Sequence, residues 1–392
     1  MQTMARTKWI GAFVTLLALS LSVAAHAQDI LSGKAVSYIC VVADSGLPIV
    51  EYNPDEVRAP ASMVKLIQML MVSEGLREGI FTLEQEITVT AKAAGIGGTQ
   101  VFLKEGEVHT LEKLMQAVSI NSANDAAMAV AEGLWGDEDT YKKAANERAL
   151  ALGMTSTVVN SVHGLPPDPG NEHDKTTARD MVILAQACIR EPLIREWTSM
   201  KELTFRVGED PKPNTNKLLF RMAECDGLKT GYTRAAGYCL TATAEINGIR
   251  VIGVVMGCNR LADRFDSMET LLKYSATQVG PVTLVAKGQP IEPSVGIGNG
   301  KMESMQLHAA NDIIAILPAS AVGKVQFFSD YPDFLWAPIA QGHAVGTLNA
   351  QLGETVLGST EVIVPEAVEE PDWRWKLGRG LLRTLGRTAS GG

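Results

Sequence analysis

Strand-forming segments stand at both ends of one long stretch of this chain, with helix-forming sequence between them. That arrangement constrains the fold more than any other feature. Residues 35–43 (Ala-Val-Ser-Tyr-Ile-Cys-Val-Val-Ala) form an apolar run that stops at Asp44-Ser45-Gly46, and Glu51-Tyr52-Asn53-Pro54 follows, so a short hairpin is expected. Much later, the segment starting at Lys229-Thr230-Gly231, then Gly237 to Ala244 and Arg250 to Gly257, read as an antiparallel meander with Glu245-Ile246-Asn247-Gly248 as its turn. Between them lie helical patterns over 63–76, 108–135 (broken near Asn121-Ser122-Ala123-Asn124), 140–152 and 177–190, and one more covers Asp263 to Gln278. Pro166-Pro167-Asp168-Pro169-Gly170 can only be loop. Strands at both ends with helices between predict an α+β domain whose sheet is closed by the last strands.

At 392 residues the chain is too long for one ordinary core. The first domain is expected over 28–279. After Gly280-Pro281 the pattern changes to short apolar runs punctuated by Gly and Pro, which predicts a separate small β domain over 280–367. With 46% hydrophobic and 20% charged residues the chain is globular, and a formal net charge of −9 provides no basic footprint for nucleic acid.

The two termini differ from the rest. Over residues 1–27, Arg6 and Lys8 precede an apolar stretch from Ile10 to Ala25, and Ala25-His26-Ala27 has the small-x-small pattern of a cleavage site. The reading is an export signal, with an uncleaved membrane anchor as the alternative. Over 368–392, Trp373, Leu377, Leu381 and Leu385 share one helical stripe, while Lys376, Arg379, Arg383 and Arg387 share the opposite side. This predicts an amphipathic helix lying in a membrane interface. Gly378, Gly380 and Gly386 oppose it, each by roughly 1 kcal/mol relative to Ala, and a disordered basic tail is the alternative. The five cysteines, at irregular spacing, make no disulfide framework and no metal motif; Cys239 and Cys258 could pair across consecutive strands, or be small buried residues of the sheet.

Three short motifs carry the chemistry. In Ser62-Met63-Val64-Lys65 the three-residue offset puts a hydroxyl and an amine on one helical face. A neutral Lys65 amine can take the Ser62 proton if burial, or a second cation such as Lys229, lowers its pKa. In Ser122-Ala123-Asn124, the Ser122 hydroxyl can relay a proton to a leaving amine, and the Asn124 amide can orient Lys65 and the substrate backbone. Lys229-Thr230-Gly231 offers an edge strand for an extended peptide, with a cation and a hydroxyl suited to a free carboxylate. The inventory is that of an acyl-transferring serine enzyme without an active-site histidine. His109, His163, His173, His308 and His343 are scattered without metal-ligand spacing, His163 reads as structural, and no nucleotide-binding fingerprint occurs, so neither metal nor cofactor is expected.

On these motifs the chain resembles the penicillin-binding D-alanyl-D-alanine carboxypeptidases of low molecular mass, the group that includes penicillin-binding proteins 5 and 6. The likeness extends through Pro60-Ala61, Val101-Phe102-Leu103-Lys104-Glu105-Gly106, Val162-His163-Gly164-Leu165, Thr177-Ala178-Arg179-Asp180-Met181, Asp226-Gly227-Leu228 and Ala236-Gly237-Tyr238. It is strong over about 32–278 and loose over the β domain. The resemblance implies a β-lactamase/transpeptidase-like domain at the periplasmic face of a bacterial inner membrane. It implies a peptidoglycan stem peptide ending in D-Ala-D-Ala as substrate and Ser62 as the acylated nucleophile. It further implies an oxyanion hole from the N–H groups of Ser62 and Tyr232, a terminal carboxylate held by Thr230 and Arg264, and β-lactams as covalent inhibitors. Two departures stand out. Ala123 replaces the family's common Gly, so an added methyl can narrow the cleft, and Tyr232 stands where relatives often have His.

The same bond chemistry would serve a D,D-endopeptidase. A class A β-lactamase shares the serine-lysine apparatus, but no Glu-x-x-Leu-Asn segment follows the second motif. A peptidoglycan-binding protein without catalysis would not need Ser62, Lys65, Ser122 and Lys229 together.

Overall fold

The computed structural model describes residues 30–371. The expected export segment 1–27, and the tail from residue 372 on, lie outside the described residues. The described chain divides after Val279 into two compact units of mixed helix and sheet and of β-rich structure.

In the first unit the sequence-distant strands meet. The hairpin Ser37–Val42 and Pro48–Tyr52 joins the meander Cys225–Thr233, Gly237–Ile246 and Ile249–Cys258 in one five-stranded antiparallel sheet, with Ser37–Val42 paired to Ile249–Cys258. The Asn247-Gly248 turn forms for the expected reason. Both residues take positive φ (53° and 77°), the conformation a two-residue hairpin demands. Cys239 and Cys258 do not pair: Cys258 lies opposite Tyr238 across a register irregularity, and both thiols are free and buried.

Helix Lys65–Arg77 runs through the middle of the unit. Leu66, Ile67, Met69, Leu70 and Val72 are buried around its circumference, the pattern of a helix enclosed by others. Helices Asn124–Trp135, Glu138–Ala151, Ala178–Arg190 and Leu261–Thr277 complete the layers. The helical segment ending near Asn121 stops differently from an ordinary cap. Leu111–Gln116 widens into a π turn, Ala117–Asn121, and Ser122 then takes the left-handed conformation (φ 62°, ψ 28°) before the next helix starts. Helix Pro192–Ser199 was not expected from the pattern; its proline occupies the first turn, where a missing N–H costs nothing.

The second unit, from Gly280, is built mainly of strands, with a 3-10 helix at Ala319–Lys324. Six form a sheet in the order 326–330, 344–352, 355–363, 304–309, 290–298, 334–336, and 280–285 pairs with 313–317. Alternation buries Met305, Leu307 and Ala309 on one face of Ser304–Ala309. Among the described residues no helix is long and apolar enough to cross a membrane.

Candidate active site

Ser62, the expected nucleophile, sits in a tightly shaped turn. Ala61, just before Ser62, is buried with φ 48°, an uncommon conformation for a side chain with a Cβ and one that clusters at functional sites. Two glycines let other segments close on this turn. A Cβ on Gly164 would lie 2.2 Å from the Ala61 carbonyl oxygen, and one on Gly231 would lie 2.5 Å from that of Pro60. The loop 161–174 and the strand Cys225–Thr233 therefore close on the turn that carries Ser62.

Lys65 is fully buried, and its Nζ donates to three acceptors: Ser62 Oγ at 2.8 Å, Asn124 Oδ1 at 2.7 Å and the His163 carbonyl at 2.8 Å. Ser62 Oγ also donates to the His163 carbonyl at 3.3 Å. Asn124 is held in turn by its own Nδ2, which donates to the Gly97 carbonyl at 2.8 Å. Burial pulls the Lys65 pKa from its ordinary value down to about 7, against the opposing pull of the Asp174 and Asp125 carboxylates. Lys229 is also buried and is held well below its ordinary value by burial first, then by Lys65 and Arg264. Near neutrality, one member of this serine-lysine pair can give up a proton without a histidine.

The second motif is buried throughout. Ala123 adopts an ordinary extended backbone (φ −60°, ψ 121°) and is fully buried in the apolar core, so its methyl packs inward and does not narrow the cleft. Ser122 and Asn124, one residue to either side, are the polar groups of that turn.

On the strand, Lys229 and Thr230 are buried, and Tyr232 is exposed and stacked on Tyr238 with ring centroids 4.1 Å apart. Thr230 Oγ1 donates to Thr215 Oγ1 at 3.0 Å, and the Thr215 N–H donates to the Ile120 carbonyl at 3.0 Å. Thr215, which carries no recognisable motif, thus links the third motif to the turn of the second. Arg264 reaches the strand from helix Leu261–Thr277. Its Nη1 donates to the carbonyls of Gly231 (3.2 Å) and Cys239 (3.4 Å), its guanidinium lies over the Tyr238 and Phe265 rings, and its buried Nε has no partner. Burial lowers the Arg264 pKa to about 10, which leaves it charged at neutral pH.

Sequence reasoning missed the backbone. His163 matters through its carbonyl, whereas its imidazole, pushed down to about 4 by burial and by Lys65, accepts the Leu165 N–H and stays neutral. No side-chain signature marks a carbonyl acceptor; the adjoining Gly164 was the available signal. No group of three or more His, Cys, Asp or Glu residues that could hold a metal occurs among the described residues.

Comparison with known proteins finds relatives over most of the chain. Residues 22–260 match the peptidase S11 family, described as D-alanyl-D-alanine carboxypeptidase, and residues 280–370 match the C-terminal domain of penicillin-binding protein 5. The chain is 31% identical to the D-alanyl-D-alanine carboxypeptidase DacC of Escherichia coli over 374 residues, 92% of this chain and 90% of that one. Penicillin-binding protein 5 from Haemophilus influenzae superposes with a TM-score of 0.68 at 27% identity, covering 86% of this chain and 98% of that one. Penicillin-binding protein D2 from Listeria monocytogenes, solved in its ampicillin-bound form, gives 0.56 at 28% identity, over 62% of this chain and 97% of that one. With its main family match spanning more than half of its length, this chain belongs to the D-alanyl-D-alanine carboxypeptidase family of serine peptidases.

Proposed function

We infer that the protein is a penicillin-sensitive, serine-type D-Ala-D-Ala carboxypeptidase that removes the terminal D-alanine from peptidoglycan stem peptides. The observation that carries the mechanism is the fully buried Lys65 amine, 2.8 Å from Ser62 Oγ. Neutral Lys65 takes the Ser62 proton as the oxygen attacks the carbonyl of the penultimate residue. The N–H groups of Ser62 and Tyr232 receive the developing oxyanion. The peptide C–N bond breaks, the amine of the departing D-alanine collects a proton through Ser122, and an ester on Ser62 remains. Water then hydrolyses that ester and regenerates the serine.

Lys229, Thr230 and Arg264 supply the positive field and hydroxyl that hold the terminal carboxylate, Gly231 lets the peptide lie along the strand, and Asn124 keeps Lys65 aimed. A β-lactam carries the same carboxylate beside a reactive amide and acylates the same oxygen. We place the protein at the periplasmic face of the inner membrane, exported by residues 1–27 and held peripherally by the basic, amphipathic tail.

The test is mass spectrometry of the purified protein after incubation with a D-Ala-D-Ala pentapeptide and, separately, with penicillin. Release of one alanine and a long-lived penicilloyl adduct on Ser62 are expected. Rapid penicillin turnover would favour a β-lactamase, and neither product nor adduct would favour a non-catalytic binding protein. For the tail, truncation after Pro371 should release the protein from vesicles containing anionic lipid; sedimentation of the truncated form would place the anchor elsewhere.

A further inference from the structure

Asp174 belongs to none of the motifs and contacts none of the groups assigned above, yet a hydrogen-bond chain runs from it into the site. It is almost fully buried. Oδ1 accepts the N–H groups of Asn160 (2.7 Å) and Ser161 (2.8 Å), and Oδ2 accepts the Ser161 hydroxyl at 2.7 Å. These three bonds close the neck of the loop 161–174. Ser161 Oγ, its proton committed to Asp174, accepts the N–H of Gly164 at 2.8 Å. That N–H and the His163 carbonyl belong to the same peptide unit, which is planar and rigid. One edge of this unit is therefore tied to the Ser161–Asp174 pair, and the other presents the oxygen that both Lys65 Nζ and Ser62 Oγ use.

We propose that Asp174 is a positioning residue for acylation: acting through Ser161 and the His163–Gly164 peptide, it fixes the carbonyl that aims the Lys65 amine at Ser62, and its negative charge acts on that amine. The inference rests on the reading of Lys65 as the base. The charge contribution follows from the groups around Lys65. Asp174 and Asp125 both favour its protonated form, the Asp125 carboxylate being already occupied by the N–H groups of Val101, Leu103 and Ala126. Lys229, from the strand, is the opposing cation, and the neutral His163 imidazole adds no charge. Tyr141, from helix Glu138–Ala151, also faces Asp174 and stays a neutral phenol.

Geometry and charge can be separated by two substitutions. Acylation of the full chain by a fluorescent penicillin is followed from about pH 5 to about pH 9, with thermal unfolding in parallel. Ser161→Ala keeps the carboxylate but releases the Gly164 N–H; the acylation rate should fall about tenfold, with the acid limb of its pH profile unmoved. Asp174→Asn keeps the acceptor but removes the charge; the limb should move to lower pH by about half a unit, and Asp174→Glu should restore it. A wild-type rate in Ser161→Ala, or an unmoved limb in folded Asp174→Asn, would overturn the inference. If Asp174→Asn fails to fold, Ser161→Ala alone decides the positioning role, on which the inference stands. Failure of the underlying reading looks different: Lys65→Ala would then acylate at the wild-type rate, whereas an inert Lys65→Ala beside an unmoved limb in Asp174→Asn removes only the role of Asp174.

Discussion

On the helix side of the cleft, Lys65 Nζ has three acceptors within 2.8 Å and each partner is itself anchored; on the strand side, Arg264 keeps a buried Nε without a partner, and Lys229 shares its surroundings with two other cations. The first wall is complete in the free protein, so its groups already hold the arrangement that proton transfer needs. The second concentrates positive charge and leaves one Arg264 donor unpaired in a buried place, a cost that the carboxylate proposed to bind there would offset. Damage to the helix wall should therefore slow the chemistry for any acylating compound. Damage to the strand wall should weaken selection for a ligand with a free carboxylate.

The largest expected effect is on the helix wall. Lys65→Ala should lower the penicillin acylation rate by about a thousandfold while the protein still unfolds cooperatively; a time course of labelling, read beside a melting curve, would sink the comparison if the rate stayed near wild type. On the strand wall, Arg264→Gln should cut kcat/KM for the D-Ala-D-Ala peptide by about a hundredfold, yet change turnover of the same peptide capped as a carboxamide far less. Equal losses on both peptides would mean that Arg264 supports the strand and does not read the carboxylate.

The pH dependence sharpens the distinction further. Lys65 must be neutral to accept the serine proton, and its pKa lies at about 7, so acylation should rise with pH through that value and fall about tenfold per unit below it. Arg264, at about 10, stays charged across that range, so its own contribution to carboxylate affinity should be flat where the rate is steep. A KM difference between wild type and Arg264→Gln that follows the same limb would contradict this division. The smallest effect is expected at the rim, where exposed Tyr232 stacks on Tyr238. Tyr232→Ala should change kcat/KM about twofold to threefold, and a loss near that of Arg264→Gln would bring the tyrosine ring into the carboxylate site.

Much of this was legible in the chain because the signals are local. The Asn-Gly turn at 247–248 demands its own conformation, and helix Ala178–Arg190 is announced by its Thr177 cap, whose side chain accepts the Asp180 N–H. The offset of Ser62 and Lys65 is a property of one short segment. What escaped detection depends on distant partners. Helix Pro192–Ser199 follows its predecessor after a single residue, Glu191, too soon for periodicity to separate the two. Thr215 is an unremarkable threonine until the fold sets it between Thr230 and Ile120. The Ala123 methyl, which could have narrowed the cleft, lies instead in the apolar core, a placement set by the packing around it and not by its own segment.

By itself, the sequence determined which groups exist, in what order, and on what kinds of element: a serine and a lysine one helical turn apart, an asparagine after a break, a lysine-threonine-glycine strand. Only the tertiary structure decided what those groups can do. It buried Lys65 until its amine titrates near neutrality, selected the His163 carbonyl to aim it, and gathered Lys229 and Arg264 into one field. The physical reason is that proton affinity and hydrogen-bond direction depend on desolvation and on distances of a few ångströms. Those distances join residues as far apart in the chain as Lys65 and His163, 98 positions, and only the closed sheet and the 161–174 loop bring them together.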